Sequence, residues 1–230
     1  MAKYEFLLLD ADETLFDFTR CEHDALCDAL REVGIEPNEE MIHTYSAIND
    51  RFWKMLERGE IEKNELRVAR FTEFCRHYGF EVDVPRLATG YTDALSTKGY
   101  LIPGALEVCR KLAKHCKLYI ITNGIATVQR GRFEPSALRE LIQELFISEE
   151  IGAEKPSSLY FDTVASRIPD FSCEKALVVG DSLSSDMRGG INAGIDTCWF
   201  NPKNKEAPKD LPITYVIRTL EALLPLVLGA

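Results

Sequence analysis

Four apolar residues, Phe6 to Leu9 in "FLLLD", run straight into acid at Asp10, Asp12 and Glu13, with Asp17 close behind. An unbroken apolar run bounded by charge predicts a strand near 4–9 buried on both faces. From about residue 17 to 97 the apolar positions recur instead at three-to-four spacing. "HDALCDALREVG" and "NELRVARFTEFCRHYG" predict helices that stop at Gly34 and Gly79, where a C-cap glycine belongs, and no strand reads convincingly in this block. Beyond "GYLIPGA" the two periods alternate. The pattern predicts helix 105–115, strand "KLYIITNG", helices near 125–143, a short strand "LFIS", helix 157–167, strand "KALVVGD", helix 185–193 and strand "DTCWF". The closing "LEALLPLVLGA" reads as a terminal helix packed on the core, its Pro225 and short length arguing against a membrane anchor.

Strands separated by helical stretches form parallel sheets covered on both faces. The fold class is therefore α/β, a Rossmann-like doubly wound parallel sheet interrupted by an all-helical insertion. The expected boundaries are a core over 1–16 and 98–230 and an inserted helical domain over 17–97. No internal repeat or low-complexity tract is visible.

Composition narrows the partners. The chain has 230 residues, 46% of them hydrophobic and 28% charged, enough for one core plus a smaller domain. A formal net charge of -10 repels nucleic acid polymers and anionic membrane surfaces, so an anionic ligand has to be met by a local device. The N-terminal apolar run is too short for a signal peptide or membrane span. The seven cysteines form no CxxC pair and the four histidines have no zinc-ligand spacing, so reduced thiols and a cytoplasmic location are expected. No obligate protein partner is evident.

In an open parallel sheet, residues just past the carboxyl ends of adjacent strands gather around one crevice. Here those ends carry Asp10 and Asp12 after "FLLL", Thr122, Asn123 and Gly124 after "LYII", Lys155 in "GAEKPSS", and Asp181 with Asp186 in "VVGDSLSSDM". Taken singly, each has an ordinary reading as a strand-end turn, a loop, a surface lysine or a helix cap. Together they bring several carboxylates to one place, which calls for a cation, and a hard oxygen-seeking ion such as Mg2+ suits them.

These four segments, "DADET", "TNG", the lysine of "EKP" and "GDSLSSD", resemble the motifs of the haloacid dehalogenase-like (HAD) hydrolases, and residues 17–97 match the helical cap of that family. The resemblance spans nearly the whole chain. Within the family, "DADETLFDF" with "GDSLSSDMRGGINAG" is most similar to the pyrimidine 5'-nucleotidase and house-cleaning phosphatase group. It implies a Mg2+-dependent phosphatase acting on a small phosphorylated metabolite. Asp10 would be the nucleophile that forms an aspartyl phosphate, and Asp12 the group that protonates the leaving alkoxide and then deprotonates water. The same resemblance puts Mg2+ on the Asp10 carboxylate, the Asp12 backbone carbonyl and Asp181. Lys155, the Thr122 hydroxyl and the Asn123 backbone N–H would hold phosphate oxygens, and Asp186 would ligate through water or hold Lys155.

Asp12 separates this chain from the family's dehalogenases and phosphonoacetaldehyde hydrolases, which carry no aspartate two residues after the nucleophile, and it sets aside a Schiff-base role for Lys54. A nucleoside 5'-monophosphate is the expected substrate, pyrimidine deoxynucleotides before purines, with Phe16 and Phe18 either stacking on the base or packing in the hinge. A sugar-phosphate phosphatase or a phosphomutase stays open as the alternative. A remote alternative is a non-catalytic phospho-aspartate receiver module, which is about half this length and lacks a helical insertion.

Overall fold

The structure, a computed structural model, describes residues 2–229. The chain divides into two compact units, one formed by residues 1–18 with 100–230 and the other by residues 19–99.

The first unit begins with β1 (Phe6–Asp10), after which α1 (Phe18–Glu32) leads into the second unit. That second unit is helical throughout: α1 is followed by α2 (Glu39–Glu57), α3 (Lys63–Tyr78) and α4 (Val84–Ser96). Asn38 and Asp83 cap α2 and α4 by accepting the backbone N–H of Met41 and Arg86. Gly79, at φ 68°, ends α3 in the left-handed conformation that glycine adopts without a Cβ penalty. Phe71, Phe74, Tyr45 and Tyr91 fill the middle of this unit with tilted and edge-on ring contacts 4.9–5.7 Å apart. Phe52 is buried with them on α2, and Lys54 lies exposed, paired with Asp50 at 2.6 Å.

Back in the first unit, α5 (Ala105–Leu112) precedes β2 (Lys117–Thr122), α6 (Ala126–Phe133), β3 (Ile142–Ile147), α7 (Ser148–Ile151) and α8 (Ser158–Arg167). Then come β4 (Ala176–Gly180), a π turn over Leu183–Met187, α9 (Arg188–Asn192), β5 (Asp196–Phe200), β6 (Tyr215–Ile217) and α10 (Leu223–Leu228). The six strands lie in the order β3-β2-β1-β4-β5-β6, every pairing parallel.

Strand residues alternate between two cores. Leu7 and Leu9 join Leu118, Ile120, Leu177 and Val179 beneath α5 and α10, while Phe6 and Leu8 join Tyr119, Ile121 and Val178 against Tyr160, Phe161 and Val164 of α8. Burial on both faces explains why "FLLLD" and "ALVVG" read as continuous apolar runs. The terminal segment packs as expected, with Leu220, Leu223 and Val227 buried in the first of these cores. Among the described residues no helix is long and apolar enough to cross a membrane.

Three expectations change. The helical pattern near 125–143 stops early: α6 ends at Phe133 and Ile142 already belongs to β3, which pairs with β2 through a register shift at Leu118/Tyr119. Helix 185–193 is a π turn followed by the short α9. Strand β6 was not expected at all. It is three residues at the sheet edge with Val216 half exposed, too short to produce a period.

Candidate active site

The sheet reverses its strand order beside β1. From there the chain runs outward through β2 and β3, then returns to β4 on the other side of β1 and continues outward through β5 and β6. Ligand crevices form at such a switch point, outside the carboxyl ends of the strands. Asp10 is the last residue of β1, Thr122 the last of β2, and Asp181 follows the last residue of β4.

After Asp10 the chain folds back tightly. The N–H groups of Leu15 and Phe16 both donate to the Ala11 carbonyl, at 2.9 and 2.8 Å, and Glu13 turns through φ 58°. Asp12 sits in this turn. Beyond β4 the backbone N–H of Asp186 and of Met187 both donate to the Ser182 carbonyl, and this π turn brings Asp186 back towards β1. Gly180 makes the approach possible, since a Cβ there would lie 2.2 Å from Asp186 Oδ2.

Lys155 ties the site together. Its ammonium donates to Asp10 Oδ1 at 2.7 Å, Asp186 Oδ1 at 2.6 Å and the Ile121 carbonyl at 3.0 Å, which uses all three of its donors. The Asn123 side chain holds the lysine backbone at both ends, Oδ1 accepting its N–H and Nδ2 donating to its carbonyl, each at 2.9 Å. Tyr160 supports the neighbouring strand end by accepting the Thr122 N–H at 3.1 Å and donating to the Phe146 carbonyl at 2.9 Å. The Thr122 hydroxyl accepts the Gly124 N–H at 3.0 Å, and the Thr14 hydroxyl donates to Asp10 Oδ2 at 3.3 Å.

Negative charge exceeds positive in this cluster. Asp10, Asp181 and Asp186 each place a carboxylate oxygen within 4.8 Å of the others. Lys155 is 2% exposed, Asp10 7% and Asp186 fully buried. Burial, and then the charge of Asp186, push the Asp10 carboxyl up to about 7 against the pull of Lys155. Burial, then Asp10 and Asp186, push Asp181 up to about 8. Burial also works against the charge on Lys155, but Asp10 and Asp186 outweigh it and its pKa rises. Three converging carboxylates facing one ammonium form an oxygen-only donor set suited to a hard divalent ion. The Asp181 backbone carbonyl accepts the Trp199 indole N–H at 2.8 Å, which anchors this residue from β5.

All seven residues singled out from the sequence, Asp10, Asp12, Thr122, Asn123, Lys155, Asp181 and Asp186, lie in this one unit, six at the ends of β1, β2 and β4 or in the turns after them and Lys155 in the loop between α7 and α8. Asp12 stands apart from the other carboxylates in its partners. Its Oδ2 accepts from Gln129 Nε2 at 2.7 Å and its Oδ1 from the guanidinium of Arg132, both on α6. Neither residue stood out in the sequence. Phe16 cannot stack on a ligand, because it is buried with the Arg132 guanidinium 4.7 Å from its ring centre.

A doubly wound sheet with an aspartate cluster at its switch point and a long helical insertion after β1 defines a class of hydrolase, and comparison with known proteins supplies the family. Residues 4–194 match the haloacid dehalogenase-like hydrolase model, and the chain belongs to that family. It is 38% identical to the HAD-hydrolase YfnB of Bacillus subtilis over 97% of this chain and 95% of that protein. It is 38% identical to the pyrimidine 5'-nucleotidase PynA of Streptococcus pneumoniae over 96% and 94%, and 31% identical to the pyrimidine 5'-nucleotidase YjjG of Escherichia coli over 96% of each. A crystal structure of YfnB bound to magnesium superposes with a TM-score of 0.93, at 37% identity, covering 97% of this chain and 98% of that one.

Proposed function

We propose that the protein is a Mg2+-dependent phosphoric monoester hydrolase working through an aspartyl phosphate, with nucleoside 5'-monophosphates, pyrimidine ones first, as substrates. The observation that carries the reading is the buried Asp10, gripped by Lys155 and facing Asp181 and Asp186, with Asp12 two residues further on. Two relatives more than 30% identical over almost the whole chain carry the name pyrimidine 5'-nucleotidase, which supports the substrate class.

In the first step an Asp10 carboxylate oxygen attacks phosphorus. The bond to the ester oxygen breaks, its electron pair goes to the leaving alkoxide, and Asp12 supplies the proton that makes it an alcohol. In the second step water attacks the same phosphorus and gives a proton to Asp12. The bond from phosphorus to Asp10 breaks and the carboxylate returns. Asp10, the Asp12 carbonyl and Asp181 would hold the ion, which when bound screens the repulsion between nucleophile and phosphate dianion. Lys155 and the Thr122 hydroxyl offset charge on the equatorial phosphate oxygens, with the Asn123 backbone N–H as a further donor and its side chain keeping the lysine in place. Asp186 completes the lysine's grip.

The test is kcat/KM for dUMP, dTMP, UMP, AMP, glucose 6-phosphate and p-nitrophenyl phosphate at one Mg2+ concentration and again with chelator. Pyrimidine monophosphates are expected to lead, with no turnover in chelator. A sugar phosphate ahead of every nucleotide tenfold overturns the substrate class, and undiminished turnover in chelator overturns the metal role.

Binding of the ion is also readable without substrate. Asp10 and Asp181 titrate above the ordinary carboxyl value of 3.8, so between that value and about 8 the folded protein keeps protons that the unfolded chain has released. Stability of the metal-free protein should therefore fall as pH rises through that window. Mg2+ displaces those protons and relieves the repulsion, so its stabilising effect should grow from pH 5.5 to pH 8. At 100 times its Kd the ion adds about 2.7 kcal/mol, roughly 5–10 °C in Tm for a chain of this size. A Mg2+ shift equal at both pH values speaks against the ion seating on these carboxylates.

A further inference from the structure

We infer that Gln129 and Arg132 are positioning residues for Asp12, fixing the carboxyl that exchanges protons with the leaving group and with water. The inference rests on the acid–base role proposed for Asp12. Three independent observations lead to it. The first is a closed ring of hydrogen bonds: Gln129 Nε2 donates to Asp12 Oδ2 at 2.7 Å, an Arg132 Nη2 N–H reaches Asp12 Oδ1, and the same Nη2 donates to Gln129 Oε1 at 2.9 Å. Gln129 and Arg132 are three residues apart on α6 and so share one face of that helix. One donor on each oxygen fixes the carboxyl plane and still leaves each oxygen a second lone pair. The Asp12 side chain keeps 28% of its surface exposed, whereas that of Arg132 keeps none.

The second observation is the environment of Arg132. Its guanidinium lies against the Phe16 ring, and among the described residues its buried Nε and Nη1 have no hydrogen-bond partner. A buried cation with most of its donors unmet is an expensive way to build a core. What it gains here is a fixed, charge-assisted hold on one carboxylate. The third is Gly124. A Cβ at that position would lie 2.0 Å from Gln129 Nε2 and 2.8 Å from its Cδ, so the glycine of "TNG" leaves the space through which Gln129 reaches Asp12. Helix α6 is itself anchored, its Ala126 N–H donating to Glu149 Oε2 at 2.7 Å.

A carboxyl held this way can be told from a plain ion pair by the leaving group. Alkoxide departure from a nucleoside 5'-monophosphate needs a proton, while p-nitrophenolate departs without one. The ratio of kcat/KM for dUMP to that for p-nitrophenyl phosphate therefore reports how well Asp12 is aimed. Gln129→Leu and Arg132→Lys are each expected to lower this ratio by about 10- to 100-fold, the range for a misplaced proton donor, with KM for p-nitrophenyl phosphate little changed. Gly124→Ala, which leaves both side chains in the sequence but closes the space for Gln129, should lower it in the same direction and serves if a substitution at buried Arg132 fails to fold. Asp12→Asn run alongside separates the two levels of the argument. If Asp12→Asn leaves the ratio unchanged, the acid–base role falls and the inference with it. If Asp12→Asn lowers the ratio while Gln129→Leu and Gly124→Ala stay within twofold of wild type, only the positioning role is overturned.

Discussion

Asp10→Asn is expected to lower kcat by roughly four orders of magnitude or more, about 5.4 kcal/mol in the barrier at 1.36 kcal/mol per decade, while leaving the fold intact. The amide keeps the shape of the carboxylate, and its oxygen can still accept from Lys155, which donates to Asp10 Oδ1 at 2.7 Å. What it lacks is the charge and the lone pair that attack phosphorus. Stability should move the other way. Asp10 is nearly dry and its carboxyl is pushed up to about 7 by burial and by Asp186, so holding it ionised at pH 8 costs free energy in the metal-free protein. Removing that charge should leave the chelator-treated variant at least as stable as wild type at pH 8, with the difference shrinking towards pH 5. An inactive variant that also melts far below wild type would point to a structural role for Asp10. A variant that keeps a tenth of the wild-type rate would exclude Asp10 as the nucleophile.

The chemistry of this chain was readable from its sequence because it sits at the ends of strands buried on both faces. Such strands are forced to be continuous apolar runs, so the first polar residue after each run marks its carboxyl end. Asp10, Thr122 and Asp181 were found that way, Asp186 followed in the turn beyond β4, and Lys155 in the loop between α7 and α8. What the pattern missed falls outside that logic. Strand β6 carries only Tyr215, Val216 and Ile217, and "ALRELIQELF" has helical spacing although its last residues pair with β2, tertiary pairing overriding the local period. Gln129 and Arg132 fall within the stretch near 125–143 that reads only as helix, where residue type and spacing mark neither of them out. A signal was nonetheless present: the sequence offered Lys155 to the carboxylate cluster but no counter-charge of its own to Asp12, and an Arg on the helix opened by "TNG" was within the right segment to supply it.

Lys155→Met tests how far the site depends on its internal counter-charge. Methionine fills similar volume but leaves Asp10 and Asp186 facing each other in a dry pocket, where the lysine had bridged them at 2.7 and 2.6 Å. Breaking a buried pair by removing one partner costs about 3–5 kcal/mol, which for a chain of this size is a fall in Tm of roughly 10 °C. The loss should depend on pH. Protonation of Asp10, whose carboxyl burial and Asp186 push up to about 7 against the pull of Lys155, relieves the repulsion at acid pH and relieves it less as pH rises, so the deficit against wild type should widen towards pH 8. Mg2+ then replaces the missing charge, and its stabilising effect should exceed that in the wild-type protein. Catalysis should not recover with it, because the equatorial phosphate oxygens still lack the ammonium, and kcat/KM is expected to stay down by about 10^2- to 10^3-fold at saturating Mg2+. Melting curves in chelator and in Mg2+ at pH 5 and 8, with steady-state rates on dUMP, decide the matter. A variant as stable as wild type in chelator at pH 8 would show that Lys155 is not the counter-charge of this cluster, and a kcat/KM within threefold of wild type would remove it from the catalytic machinery.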